Sequence, residues 1–346
     1  MSWVEEELRE QPAAVERFLA AEHGKVAELA RTLVRADVRF VLIASRGSSG
    51  NAARYAQYLF GLVNRLVVAF ATPSLYTVYD DAAPRLEGAL VVAISQSGAS
   101  PDVVAVIAEA RRQGRPTLAI TNEPGSPLAR TAEWTLTLDA GEERAVAATK
   151  TYLNSIAAIA LLSALLDGGS RLIKELLETP VRIAEQIDRS LADAARLDPY
   201  RDVEGGTVVG RGINYGTAFE IALKIRELSG AAFEPFSPPD LLHGPIAAVG
   251  PGRPAVVVAP SGRALASVRE LTGQLRERGC EVIAISDDAG VLTAANTALP
   301  LVRPSPEWLS PFTTVIPGQV AAVRLATLRG DDVDRPAGLT KVTLTH

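Results

Sequence analysis

Short runs of Val, Ile, Leu and Ala return along this chain with helix-length stretches between them, and the series occurs twice. The first set covers 38–44 (VRFVLIA), 66–72 (LVVAFAT), 89–94 (ALVVAI), 116–121 (PTLAIT) and 134–138 (WTLTL). The second covers 206–210 (GTVVG), 231–236, 254–259 (PAVVVA), 281–286 (EVIAIS) and 297–302. Strands that are apolar throughout must be covered on both faces, and a parallel strand needs a crossover long enough to hold a helix. The pattern therefore predicts an α/β chain of two tandem doubly wound, flavodoxin-like units, each a mainly parallel five-stranded sheet flanked by helices.

The segments follow from the same rhythm. Leu8, Val15, Leu19, Val26, Leu29 and Leu33 recur at helical spacing, which predicts an N-terminal helical segment over 1–35. A first unit is expected over 36–196, closed by helices near 146–166 and 172–196, and a second over 197–328. The polar stretch 329–346, punctuated by Pro336 and Gly338, reads as a tail that must dock to be ordered.

Composition narrows the class. A length of 346 residues suits two units, and 47% hydrophobic with 22% charged residues suits buried cores. A net charge of −5 leaves no footprint for nucleic acid, and no basic run marks a membrane surface. The longest apolar stretch, Ile156 to Leu166, is short of the roughly 20 residues a bilayer demands and reads as a buried helix. One cysteine, Cys280, forms no intramolecular disulfide. The acidic, amphipathic start predicts no signal peptide, so the expected location is cytoplasmic.

Chemistry concentrates in four places. Ser45-Arg46-Gly47-Ser48-Ser49-Gly50-Asn51 follows the first strand, and Ser95-Gln96-Ser97-Gly98-Ala99-Ser100-Pro101 follows the third. Hydroxyls, close backbone approach at Gly and open helix N-termini make both candidate phosphate cradles, although Ser and Gly also serve as plain helix caps. In FEIALKIREL, Glu220, Lys224 and Glu227 fall on one helix face. Spacing alone favours a solvated face with a helical ion pair; the chemical alternative is a carboxylate base held ionised by a neighbouring lysine. Lysine is scarce here, at 25, 150, 174, 224 and 341 only, and only Lys readily forms imines. Among three histidines, His243 alone lies on a Gly/Pro loop after a strand, in Asp240-Leu241-Leu242-His243-Gly244-Pro245. The tail carries Gly338-Leu339-Thr340-Lys341. No grouping has metal-ligand spacing and no nucleotide-binding glycine run occurs, so neither metal nor cofactor is expected.

Together SRGSSGNA, SQSGAS, VAATK, EIALKIRE, LLHGP and GLTKVT resemble the sugar isomerase (SIS) family, of the kind found in the isomerase portion of glutamine–fructose-6-phosphate aminotransferases and in stand-alone relatives. Glu10-Gln11-Pro12 and Asp334-Arg335-Pro336 extend the likeness to both ends. The resemblance implies that Ser48, Ser49, Ser95, Gln96, Ser97 and Ser100 hold a sugar phosphate, with Val146 lining the site. It implies that Glu227 shuttles a proton between C1 and C2, supported by Glu220 and Lys224, and that Lys341 reaches the sugar carbonyl. His243 would assist ring opening across the interface of a homodimer.

Two departures set the expected relative. Ser2 follows Met1 where the glutamine-dependent synthase begins with a catalytic cysteine, and a glutaminase domain has no room before residue 35. Ala148 and Leu242 stand where the synthase usually has Ser and Lys. The implied activity is glucosamine-6-phosphate deamination with isomerisation, acting on an amino-hexose 6-phosphate. A fructosamine-6-phosphate deglycase, another SIS aldose–ketose isomerase, and a non-catalytic phosphosugar sensor are the alternatives.

Overall fold

The structure, a computed structural model, describes residues 2–79 and 83–341. The end of the expected tail, 342–346, lies outside the described residues.

The first sheet contains β1 (Phe40–Ser45), β2 (Val67–Phe70), β3 (Ala89–Ile94), β4 (Thr117–Thr121) and β5 (Trp134–Thr137), in the order β2-β1-β3-β4-β5. The second contains β6 (Gly205–Val209), β7 (Ala232–Phe236), β8 (Ala255–Ala259), β9 (Val282–Ser286) and β10 (Thr297–Pro300), in the order β10-β9-β8-β6-β7. Every pairing in both is parallel, where the sequence predicted only a mainly parallel sheet. Strands β3, β4, β6, β8 and β9 are buried along their whole lengths, as runs apolar on both faces require.

Packing divides the chain into two interleaved units, whereas the segments read from the sequence are contiguous. The first-sheet unit takes residues 13–143 and 150–178, with Thr340 and Lys341; the second-sheet unit takes residues 2–12, 144–149 and 179–339. The helix Trp3–Arg35 contributes to both. In the first-sheet unit, Leu42, Val91 and Ala93 of the sheet pack with Val103, Val106 and Ile107 of the helix Pro101–Arg112. In the second, Val257, Val282 and Ala284 pack with Val268, Leu271 and Leu275 of the helix Leu265–Glu277.

Two expected helices differ in detail. The apolar stretch ending at Leu166 lies in the helix Lys150–Asp167, buried from Lys150 through Ala164. The single helix expected over 172–196 is two, Ser170–Leu177 and Thr179–Asp193. Pro180 accounts for the break, because proline has no N–H to continue a helix but fits a helix's first turn. Among the described residues, no helix is long and apolar enough to cross a membrane.

Candidate active site

Strand order reverses between β1 and β3, and ligands of doubly wound sheets bind at such a reversal, beyond the carboxyl ends of the strands. The register pairs Ser45 with Ile94, so both strands end at the same level and their serine loops emerge side by side. The first loop opens the helix Gly47–Leu59, whose first turn holds Ser48 and Ser49, both half-buried. The second opens the helix Pro101–Arg112, with proline at its first position.

Neither helix spends a side chain on its N-cap. Arg46 and Ser100 occupy the two cap positions in extended conformation without a side-chain cap hydrogen bond. Elsewhere in the same unit Ser126 does cap, its hydroxyl accepting from Ala129 N–H at 3.2 Å. Capping therefore does not explain Ser100. A helix start offers backbone N–H groups without an intrahelical partner and a positive dipole end, the arrangement an anion needs; at the second helix one of these, Val103 N–H, donates to Asp102 Oδ1 at 2.9 Å.

The second loop is rigid. Gln96 O accepts from Asn122 N–H at 3.0 Å and from Thr121 Oγ1 at 3.1 Å, and Gly98 O accepts from Leu128 N–H at 3.0 Å. Ser95 Oγ accepts from Gly98 N–H at 3.2 Å, and Ser97 Oγ from Ala99 N–H at 3.3 Å. Gly98 sits at φ +58°, and a Cβ there would lie 2.2 Å from Ser126 Oγ. A tie that sequence reading missed joins the two loops: Arg46 Nε and Nη2 donate to Asp102 Oδ2 at 3.0 and 2.7 Å. Asp102 is buried, and Arg46 is the one cation in either loop sequence.

In the second-sheet unit, the helix Tyr215–Ser229 carries the carboxylate–lysine face. It packs closely on the helix Pro311–Arg329: a Cβ at Gly318 would fall 2.3 Å from Ile221 Cγ1. The solvated-face reading fails here. Glu220 is 0% and Lys224 1% exposed, with Lys224 Nζ 3.7 Å from Glu220 Oε1; the same Nζ also donates to Glu227 Oε2. Glu227 is half-buried at 26% and is thus the member of the three that reaches solvent. Charges leave water only when paired, so the two buried members hold each other, and the Lys224 amine also holds Glu227 in place.

His243 ends the short helix Pro238–Leu242, capped by Ser237, and is exposed. Its Nδ1 lies 2.7 Å from Pro239 O. A carbonyl only accepts, so Nδ1 carries the hydrogen, and the ring's other nitrogen, Nε2, is left for a further partner. Among the described residues no hydrogen bond joins His243 to Glu227.

Val146 is half-buried, and its N–H donates to Asp334 O at 3.1 Å. Asp334 also caps the N-terminal helix, its carboxylate accepting from Trp3 N–H at 3.0 Å and Val4 N–H at 2.9 Å. The guanidinium of Arg335 stacks over the Trp3 ring at 5.0 Å. Asp334 and Arg335 thus tie this part of the chain to the start of the N-terminal helix. Lys341, its side chain 26% exposed, has Nζ 3.0 Å from Glu143 Oε2, whose side chain is 0% exposed. Glu143 was not singled out in the sequence; it stands three residues before Val146, just ahead of the VAATK motif.

Two wholly parallel doubly wound sheets, with serine-rich loops side by side at one strand reversal, define an α/β protein of the class that binds ligands at such reversals. The SIS-domain pattern matches residues 33–165 and 207–329, and the chain belongs to that family. It is 32% identical to a glutamine–fructose-6-phosphate aminotransferase of Pyrococcus horikoshii, over 97% of this chain and 56% of that protein. The chain therefore spans about half the length of the curated relatives it matches. Among solved structures, it is similar to the C-terminal domain of glucosamine-fructose-6-phosphate aminotransferase from Francisella tularensis, with TM-score 0.86 and 25% identity over 97% of this chain and 98% of that one. A glucosamine-6-phosphate deaminase from Thermotoga maritima shares the fold, with TM-score 0.79 and 22% identity over 99% and 100% of the two chains.

Proposed function

We propose that the chain is an isomerising glucosamine-6-phosphate deaminase, converting glucosamine 6-phosphate and water into fructose 6-phosphate and ammonia. The observation that carries this reading is Lys224, at 1% exposure, held between Glu220 and the solvent-reaching Glu227. A sensor needs the serine cradle but has no use for a buried lysine that holds a partly solvated carboxylate in place.

The phosphate rests on Ser48, Ser49, Ser95, Gln96, Ser97 and Ser100. His243 of a neighbouring copy opens the pyranose through Nε2; its exposure at the end of the helix Pro238–Leu242 suits delivery to a homodimer partner. Glu227 takes the proton from C2 and returns it to C1, through an enolamine, leaving a ketimine at C2. Water adds to the ketimine carbon, and ammonia leaves as the ketone forms. Lys341 acts at the sugar carbonyl. A carboxylate suits the proton shuttle because, once positioned, it can take a proton from one carbon and return it to the next. Ala148 and Leu242, where the glutamine-dependent synthase usually has Ser and Lys, favour deamination over synthesis.

The test is ammonia release measured across glucosamine 6-phosphate, its N-acetyl form, galactosamine 6-phosphate and fructoselysine 6-phosphate. The reading expects glucosamine 6-phosphate to give the highest kcat/KM, with fructose 6-phosphate formed in equal amount. Turnover of fructoselysine 6-phosphate alone would replace it with a deglycase.

A further inference from the structure

Glu143 stands out among the groups the proposed mechanism leaves unused. Its side chain is 0% exposed. One oxygen, Oε1, accepts from Thr151 N–H at 3.1 Å; the other, Oε2, accepts from Thr151 Oγ1 at 2.8 Å and from Lys341 Nζ at 3.0 Å. Thr151 is the second residue of the helix Lys150–Asp167, so the carboxylate also meets the positive end of that helix. The mounting is stiff: Asn154, one turn on, donates to Leu138 O at 2.7 Å and Ala14 O at 3.0 Å, and Lys150 Nζ donates to Glu142 O at 2.6 Å.

A buried carboxylate is tolerated when cations and fixed donors meet it. Lys341, in turn, lies on a polar tail where an ammonium would ordinarily be solvated with its four-carbon stem free. The two requirements are answered by one contact. We propose that Glu143 is the positioning residue for Lys341: it docks this end of the tail and holds the amine at one place, from which it meets the sugar carbonyl. This rests on the proposed role of Lys341. The docking itself stands on the geometry alone.

The experiment uses the full chain and two readouts. Glu143→Gln keeps the size and an acceptor for Thr151 but turns an amide toward Lys341. Trypsin cleavage after Lys341, followed by mass as loss of the last five residues, is expected to accelerate at least ~10-fold relative to cleavage at arginines, because a site opens to protease in proportion to its local unfolding. With glucosamine 6-phosphate, kcat is expected to fall ~10–100-fold, the effect of a misplaced reacting group, while KM stays within about twofold because the serine loops are untouched. Lys341→Ala and Lys341→Ala/Glu143→Gln should then have equal kcat, since a positioning residue has nothing left to position.

Should Glu143→Gln fold poorly, Lys341→Met carries the test. It strands the buried carboxylate and lowers Tm, and adding Glu143→Gln restores it. Unchanged cleavage and kcat in Glu143→Gln, multiplicative effects in the double variant, or no restoration of Tm would each overturn the assignment. Absence of turnover in the wild type on every amino-hexose phosphate would instead defeat the proposed function, with the cleavage and Tm measurements still deciding the docking.

Discussion

Lys224 Nζ stands 3.7 Å from Glu220 Oε1, with neither side chain more than 1% exposed, on a helix whose sequence spacing would equally have served a solvated surface. Burial converts an ordinary i, i+4 pair into a structural commitment. Glu220 without Lys224 would lose its paired cation away from water.

Removing one partner is therefore expected to destabilise strongly. Lys224→Met should lower the unfolding free energy by about 3 kcal/mol, the usual effect of leaving a buried charge unpaired. Adding Glu220→Gln should recover part of that loss, because it removes the stranded carboxylate. Denaturant unfolding of the two variants measures both quantities; equal stability of wild type and Lys224→Met contradicts the burial argument.

The loop after β3 makes a separate prediction. Gly98 holds a positive φ of 58° and has Ser126 Oγ where a Cβ would go. Gly98→Ala should destabilise by roughly 1–3 kcal/mol, the range for forced overpacking. It should also weaken binding of inorganic phosphate or fructose 6-phosphate, measured by calorimetry, because Ser95 Oγ and Ser97 are set by the amides of 98 and 99. Unaltered affinity would separate this loop from the ligand.

Burial pushes the Cys280 thiol up from 9.0 to about 11. The protonated thiol is thus favoured in the folded state. The native state binds more protons than the unfolded one between pH 9 and 11, so this group's stabilisation is complete below about pH 9 and is lost as pH rises toward 11. Cys280→Ala should flatten the stability profile over that window. A native thiol that reacts with a disulfide reagent at pH 8 as fast as the unfolded one would contradict the burial assigned to it.

Much of this was legible in the sequence, for identifiable reasons. The strands were visible because a parallel sheet covered on both faces demands continuous apolar runs, and VVLIA-like runs have few other uses. The serine loops were visible because Gly and Ser cluster at strand ends. The break at Pro180 was missed because apolar periodicity continues through it. Glu143 and Asp102 were missed, and the contacts of Asp334 were not foreseen, for a different reason: each is an acid whose meaning comes from a partner far along the chain, at Lys341, Arg46 and Val4. Burial of Glu220 and Lys224 was likewise illegible, since helical spacing reports which residues share a face and not what that face meets.

The claim on which the account turns is that Glu227 moves the proton between C1 and C2. Glucosamine 6-phosphate incubated with enzyme in deuterium oxide, and followed by NMR at C2 and at C1 of the fructose 6-phosphate formed, tests it directly. The account predicts deuterium incorporation with the wild type. With Glu227→Gln it predicts none, and turnover lower by at least ~10³-fold, as befits loss of a positioned base, with phosphosugar binding retained. Exchange and turnover at the wild-type rate in Glu227→Gln would contradict it.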